Sequence, residues 1–355
     1  MMDLKTLSLV GGVLVLLGAA AVVVHVLKRR TDSGIDPAIV ETFRLRLRAW
    51  ALLFAVLAAT FVIGSAATVV LFWAISFWAL REFITLTPTR PGDHRALFWV
   101  FFLCTPLQFF LVGMRWYGLY SILIPVYAFL LIPARIAIAG DAKRFLERTA
   151  KIQCGLLICV YCLSYAPALM TLRLPGRPAE ASTAAEIGDG VMLGAQAPGR
   201  VSRSAAAAAA DPGQNARLLF FFVFIVQLSD AFQYAWSHLP VRHVIAPAIS
   251  PTRTWEGVLG GAATAALVGG ALWWATPFPV WMAALMSLVI AVMGFAGSMT
   301  MSAIKRDRGV RDYGTLVAGH GGVLDRIDSI CFAAPVFFHC TRFYLNMAES
   351  INPLA

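Results

Sequence analysis

Long apolar runs broken by short polar strips set the pattern of this chain, and the runs have the length of helices rather than of strands. A helix needs about 20 apolar residues to cross the ~30 Å hydrocarbon core of a bilayer. The run Leu7–Leu27 has that length and is followed by Lys28-Arg29-Arg30. Its apolar character continues past Ala19-Ala20-Ala21, so it reads as a retained span rather than a cleaved signal. Residues 49–80 would reach ~48 Å as one helix, too far for a single crossing, and divide near Gly64-Ser65 into a helical hairpin. Further spans are predicted at about 96–113, 118–138, 152–172, 216–235, 256–275, 278–298 and 329–347.

Alternating these runs from an outer N-terminus puts the strips 28–48, 81–95, 139–151, 236–255 and 299–328 on the inner side. These are the strips rich in Lys and Arg, as the positive-inside bias requires. The expected fold class is therefore an all-α polytopic membrane protein with about ten transmembrane helices and both termini outside. Phe43–Arg48 alternates Leu with Arg44, Arg46 and Arg48, which before a span reads as an interfacial helix or a basic anchor at the headgroups. Residues 173–215 are rich in Ala, Gly, Pro and Ser and read as a low-complexity outer loop. Three regions follow: 1–172, an N-terminal transmembrane region; 173–215, the loop; and 216–355, a C-terminal transmembrane region carrying the chemistry.

Composition sharpens this picture. The chain has 355 residues, of which 59% are hydrophobic and 14% charged, against roughly 25% charged in a soluble domain. Its formal net charge of +10 would suggest nucleic acid for a soluble chain. Here it reflects basic inner loops and attraction to anionic membrane lipids, and no nucleic-acid partner is expected. All six cysteines lie in apolar runs. Cys159 and Cys162 form C-x-x-C without a second pair at zinc spacing, and read as packing residues.

Three polar elements carry candidate chemistry. The longest runs from Ser302 to Asp328 and holds Lys305, Arg306, Arg308 and Arg311, two glycine clusters, and the carboxylates Asp325 and Asp328. Cations clamp phosphates, glycines let backbone N–H groups approach them, and carboxylates hold a divalent metal. The second is Ser229-Asp230, followed by Gln233 and Tyr234. The third is Ile249–Gly257, where Ser/Thr groups open a helix and Arg253 would help bind an anion. Each has a plainer reading: Asp230 as a solvated helix end, the third element as a capping box, single cations as topological anchors. Anchoring does not require His320-Gly321-Gly322 or the spacing Asp325-Arg326-x-Asp328. The assembly reads as a site for a charged nucleotide at the inner membrane face.

Ser302, Lys305-Arg306, Arg311-Asp312, His320-Gly321-Gly322, Asp325-Arg326 and Asp328 together resemble the signature of the phosphatidate cytidylyltransferase (CDP-diacylglycerol synthase) family. Ile249–Gly261 and, more weakly, Leu80-Arg81-Glu82-Phe83 resemble further family segments. The resemblance implies an integral membrane enzyme of the bacterial inner membrane with cytoplasmic catalytic loops. Its substrates would be CTP and phosphatidate, its products CDP-diacylglycerol and pyrophosphate, and its cofactor Mg2+, with a second cation left open. It implies catalytic roles for Ser302, Lys305, Arg306, Asp325 and Asp328. It implies substrate binding by Arg253, Arg311, His320, Gly321, Gly322 and Arg326, and metal binding by Asp325, Asp328 and Asp230. A homodimer is left open.

The departures from that pattern matter. Ser298 stands where the family carries a metal-site aspartate, Arg311 where it carries lysine, Ala318 where it carries proline, and Ser237-His238 where a Gly-Lys pair is common. A hydroxyl is a poorer Mg2+ ligand than a carboxylate. A catalytically impaired or repurposed paralogue that binds nucleotide or lipid is therefore the alternative. A transporter would instead place charged groups near the bilayer midplane, whereas those here cluster at one face.

Overall fold

Backbone N–H and C=O groups cannot be left unpaired in hydrocarbon, so apolar runs of this length satisfy them internally as helices. The computed structural model describes residues 6, 8–15, 18, 22, 37–86, 89–172, 174, 212–239, 243–310, 312–314 and 321–351; the side chains of 37–49, 212, 349 and 351 fall outside that description. The long helices are α1 (Pro37–Ile63), α2 (Ser65–Thr85), α3 (Pro91–Gly113), α4 (Tyr117–Ala137) and α5 (Phe145–Thr171). They continue as α6 (Pro212–Trp236), α7 (Trp255–Ala271), α8 (Val280–Asp307) and α9 (Leu324–Ile351). A short antiparallel pair, β1 (Val244–Ala246) and β2 (Ser250–Thr254), precedes α7. Thr254 caps α7, its hydroxyl accepting from the Gly257 N–H at 3.1 Å.

Six helices among the described residues are long and apolar enough to cross a membrane: α2, α3, α4, α5, α6 and α8. This corrects the expectation of about ten spans. The basic first half of α1 leaves only Trp50–Ile63 as a short apolar segment. Helix α7 has 17 residues, or ~26 Å against a ~30 Å core. Helix α9 carries Asp325, Arg326 and Asp328 in its first turns and Arg342 further on, which dilutes its apolar character. The expected span Leu7–Leu27 lies largely outside the described residues, as does most of 173–215. The break expected near Gly64-Ser65 falls at Gly64, whose φ of 131° is one that L side chains rarely adopt.

The core runs along α6. Phe220, Phe221 and Phe222 are all buried; Phe220 meets Phe54 of α1 at 5.1 Å between ring centroids and Phe222 stacks on Phe337 of α9 at 5.3 Å. Helices α6, α7, α8 and α9 pack successively, and α9 also packs against α5. Helices α8 and α9 approach closely at Gly297. A Cβ there would lie 2.7 Å from the Asp328 carbonyl oxygen, so even alanine would push the two helices apart.

A partly buried ion network ties elements together at one end of the bundle. Arg148 of α5 reaches Asp93 of α3 at 2.9 Å and Asp141 at 3.0 Å, and Asp141 also holds Arg90 at 3.0 Å. Glu147 reaches Arg308, just beyond α8, at 3.8 Å. The starts of α3 and α5 and the end of α8 therefore lie at the same end of the molecule.

Candidate active site

The site is built where the end of α6, strand β2, the end of α8 and the start of α9 meet. Asp325, in the first turn of α9, accepts from Lys305 Nζ at 2.8 Å through Oδ1. Its Oδ2 accepts from the Tyr313 and Gly322 amides, each at 2.9 Å. One carboxylate thus ties α8 to both flanks of the segment 315–320. The pair is largely enclosed, with side-chain exposures of 18% for Lys305 and 9% for Asp325. Removing one partner of such a pair strands a buried charge, which typically costs ~3–5 kcal/mol. Gly321 adopts φ 79° against Asp325, and a Cβ there would sit 2.6 Å from Oδ2.

Glu82, near the end of α2, holds the same loop from the other side. Its Oε1 accepts from the Val323 amide at 3.0 Å and from Trp78 Nε1 at 3.2 Å; its Oε2 accepts from the Leu324 amide at 2.8 Å. An acceptor with full negative charge belongs at a helix N-terminus, where unpaired N–H groups and the helix dipole favour it. The carboxylate fits only because Gly314 and Gly322 lack side chains: a Cβ on Gly314 would lie 2.9 Å from Oε1, and one on Gly322 would overlap Oε2.

Arg253 of β2 bridges two helices. Its Nη1 donates to Gln233 Oε1 of α6 at 2.9 Å, and its Nη2 donates to Ser298 Oγ of α8 at 2.6 Å. Ser298 is buried and stands as a neutral acceptor. Ser302, one turn on, donates to the Ser298 carbonyl at 2.7 Å, leaving its oxygen lone pairs as acceptors. Arg306 Nε donates to the Ile249 carbonyl at 3.2 Å, closing the β1–β2 turn against α8.

Asp328 lies one turn beyond Asp325, and its Oδ1 accepts from the Ser329 amide at 2.7 Å. Burial, reinforced by the nearby Asp230 carboxylate, pushes the Asp328 carboxyl up to about 7. Two half-buried carboxylates that repel one another favour either a proton or a cation between them. Mg2+ sites that handle phosphates use one or two protein carboxylates and complete the shell with water and phosphate oxygens. Asp230 and Asp328 fit that donor set. Among the described residues no group of three or more His, Cys, Asp or Glu converges as a ready-made metal cage, and Asp325 has both oxygens engaged.

The structure therefore brings together Asp230, Arg253, Ser298, Ser302, Lys305, Gly321, Gly322, Asp325 and Asp328. Arg306 sits at the edge, and Arg326 follows Asp325 in the first turn of α9. Arg311 and His320 lie outside the described residues. The model of the cytidylyltransferase family matches residues 44–344. The chain belongs to that family.

Relatives of this cytidylyltransferase-family member differ in how much of it they cover. An Escherichia coli (strain K12) protein named uncharacterized protein YnbB is 34% identical over 279 residues, 78% of this chain and 79% of that protein. The phosphatidate cytidylyltransferase of Staphylococcus haemolyticus is 34% identical over 121 residues, 34% of this chain and 46% of that enzyme. The Synechocystis enzyme of the same name is 44% identical over 105 residues, 29% of this chain and 36% of that enzyme. The chain thus aligns with less than half the length of these two named enzymes. Family membership supports a nucleotidyltransferase-type enzyme of phospholipid metabolism.

Two site residues of this family member had only a faint trace in the sequence. Glu82 stood in Leu80-Arg81-Glu82-Phe83, an acid at the end of an apolar run, with nothing local to pair it with residues more than two hundred positions away. Gln233 was visible as a polar residue one turn after Ser229, where its Nε2 donates to Ser229 Oγ at 2.9 Å, but its bond to Arg253 depends on the β1–β2 hairpin.

Proposed function

We propose that this chain transfers the cytidylyl group of CTP to phosphatidate, giving CDP-diacylglycerol and pyrophosphate, with its catalytic loops on the cytoplasmic side of a bacterial inner membrane. The observation that carries the reading is the convergence of Lys305, Arg253, Asp230 and Asp328 from four separate elements at one end of the bundle, within a match to the family that spans most of the chain. A phosphate oxygen of phosphatidate attacks the α-phosphorus of CTP, the bond to the β-phosphate oxygen breaks, and pyrophosphate leaves with that electron pair. Both reactants are anions, so catalysis consists of alignment and charge compensation.

Lys305, held in place by Asp325, is aimed to exchange part of that contact for a substrate phosphate, with Arg306 and Arg311 as further cations. Gly321 and Gly322 would serve substrate binding by letting Asp325 and Glu82 lie against the loop, since those carboxylates already take the Gly322, Val323 and Leu324 amides. His320 would donate to a phosphate oxygen from the same loop. Arg253 positions Ser298 and Gln233. Asp230 and Asp328 would hold Mg2+, which when bound offsets the negative charge gathered on the phosphates. Asp325 organises the loop beside them.

The test is to supply the purified full chain with CTP labelled in the α-phosphate, phosphatidate and Mg2+. The reading expects label in the organic phase that depends on phosphatidate. Label that stays aqueous, with the protein folded and Mg2+ saturating, would sink it. A second reading is an impaired or repurposed paralogue, favoured by Ser298: its hydroxyl, bonded to Arg253 at 2.6 Å, offers no charge for a metal.

A further inference from the structure

The acidic groups at one end of the bundle are taken up by their neighbours. Arg90 and Arg148 engage Asp141 and Asp93, and Arg144, Lys151 and Arg308 engage Glu147. Arg95 in α3 and Arg135 in α4 are different. Neither has a hydrogen bond, ion pair or ring contact among the described residues, and both line one cavity of about 510 Å3 between the start of α3 and the end of α4. That volume falls in the ~300–1,000 Å3 range of small-molecule sites.

Two guanidinium groups facing one space without a counter-ion repel each other, and an anion placed between them removes that cost. The planar fork of Arg matches phosphate oxygens in particular. The border of the cavity says what kind of phosphate. Trp99 and Ile138 line it and are 41% and 79% exposed. Apolar surface of this kind at the end of membrane helices faces acyl chains, and Trp favours the headgroup level. A soluble phosphate would gain nothing from it. Arginines that only set topology need neither a shared cavity nor an apolar rim.

We propose that Arg95, Arg135 and Trp99 form a binding site for the phosphate headgroup of an anionic phospholipid, separate from the nucleotide-handling residues of α8 and α9. The cavity lies at the same end of the molecule as those residues: the loop after α4 carries Asp141, which holds Arg148, and the adjacent Glu147 reaches Arg308. The site concentrates anionic lipid at the face where the candidate active site opens, and it stands whether or not the chain proves to be a cytidylyltransferase.

The test uses the full chain, delipidated in detergent, and titrates it with dioctanoyl phosphatidylglycerol, dioctanoyl phosphatidylcholine and inorganic phosphate. The Arg95→Gln/Arg135→Gln double variant should bind phosphatidylglycerol about tenfold or more weakly, with phosphatidylcholine binding unchanged. Arg115→Gln, which removes another arginine whose side chain has no hydrogen bond or ion pair among the described residues, at a different place, should leave phosphatidylglycerol binding intact. If the double variant misfolds, Arg95→Lys/Arg135→Lys keeps the charge and loses the fork, and weaker binding is again expected. Native affinity in the folded double or Lys variants would overturn the site. So would an equal loss in Arg115→Gln, which would mean general charge attraction, or inorganic phosphate binding as tightly as the lipid.

Discussion

Exchanging Glu82 for Gln alters a single terminal atom and should disable the start of α9. The native side chain is 5% exposed, and its oxygens accept from the Val323 amide at 3.0 Å, the Leu324 amide at 2.8 Å and Trp78 Nε1 at 3.2 Å. A glutamine has one oxygen, so its NH2 group must confront one of those donors. A buried N–H left unsatisfied costs ~1–3 kcal/mol, and losing a negative charge at a helix N-terminus adds ~0.3–1 kcal/mol or more when partly buried. Together ~1–4 kcal/mol of local order is lost where Asp325 and Asp328 must be held to within a fraction of an ångström. A displacement of about 1 Å at those carboxylates corresponds to about a 10²-fold fall in rate. Glu82→Asp should fail as well, because the shorter arm cannot reach both amides. The assay has two arms: cytidylyl transfer measured well below the melting temperature, and hydrogen exchange of the backbone around 313–330. The expected result is faster exchange at Val323 and Leu324 together with the rate loss. Native exchange and native turnover in Glu82→Gln would refute the claim that this carboxylate positions the site.

Three further outcomes follow from the same geometry. Asp325→Ala releases Lys305 and two loop amides at once, so activity should fall on the order of 10²-fold or more while the detergent-solubilised chain stays folded; normal turnover at saturating Mg2+ would count against it. Ser298→Asp would turn the 2.6 Å bond to Arg253 into an ion pair and add a charge beside the candidate metal position, so half-saturation by Mg2+ should move to lower concentration; no shift, or a loss, would mean Asp230 and Asp328 already suffice. Because Asp328 is pushed up to about 7 by burial and by Asp230, its ionised form is disfavoured in the fold: the metal-free protein should lose stability as pH rises from ~4 through about 7, while Mg2+ binding, which needs the ionised form, should strengthen over the same window. A flat pH response for both would show that Asp328 is not the group responsible.

Membrane character was legible from run length alone, because hydrocarbon imposes one rule on every apolar segment. The number of spans was not. Helix α7 has the composition of a span but not its length, and α9 has the length but carries its chemistry at one end. The residues brought together from α6, β2, α8 and α9 were legible because their types and spacing are local: Lys305 and Ser302 share a helix, and Asp325 and Asp328 are one turn apart. What closes the site was not. Glu82 reaches it only through the packing of α2 on the C-terminal half, and Gln233 only through a hairpin, β1–β2, in a stretch expected to be a plain helix start.

The account's central claim is that this arrangement joins a nucleotide to a lipid phosphate, and the most direct measurement follows both products of one reaction. Purified chain, CTP, phosphatidate and Mg2+ should yield CDP-diacylglycerol, identified by mass, and pyrophosphate in equal amounts. Both should disappear without phosphatidate and in Asp328→Asn. Pyrophosphate released without a CDP-lipid, or a folded and Mg2+-saturated chain that forms neither product, would contradict it.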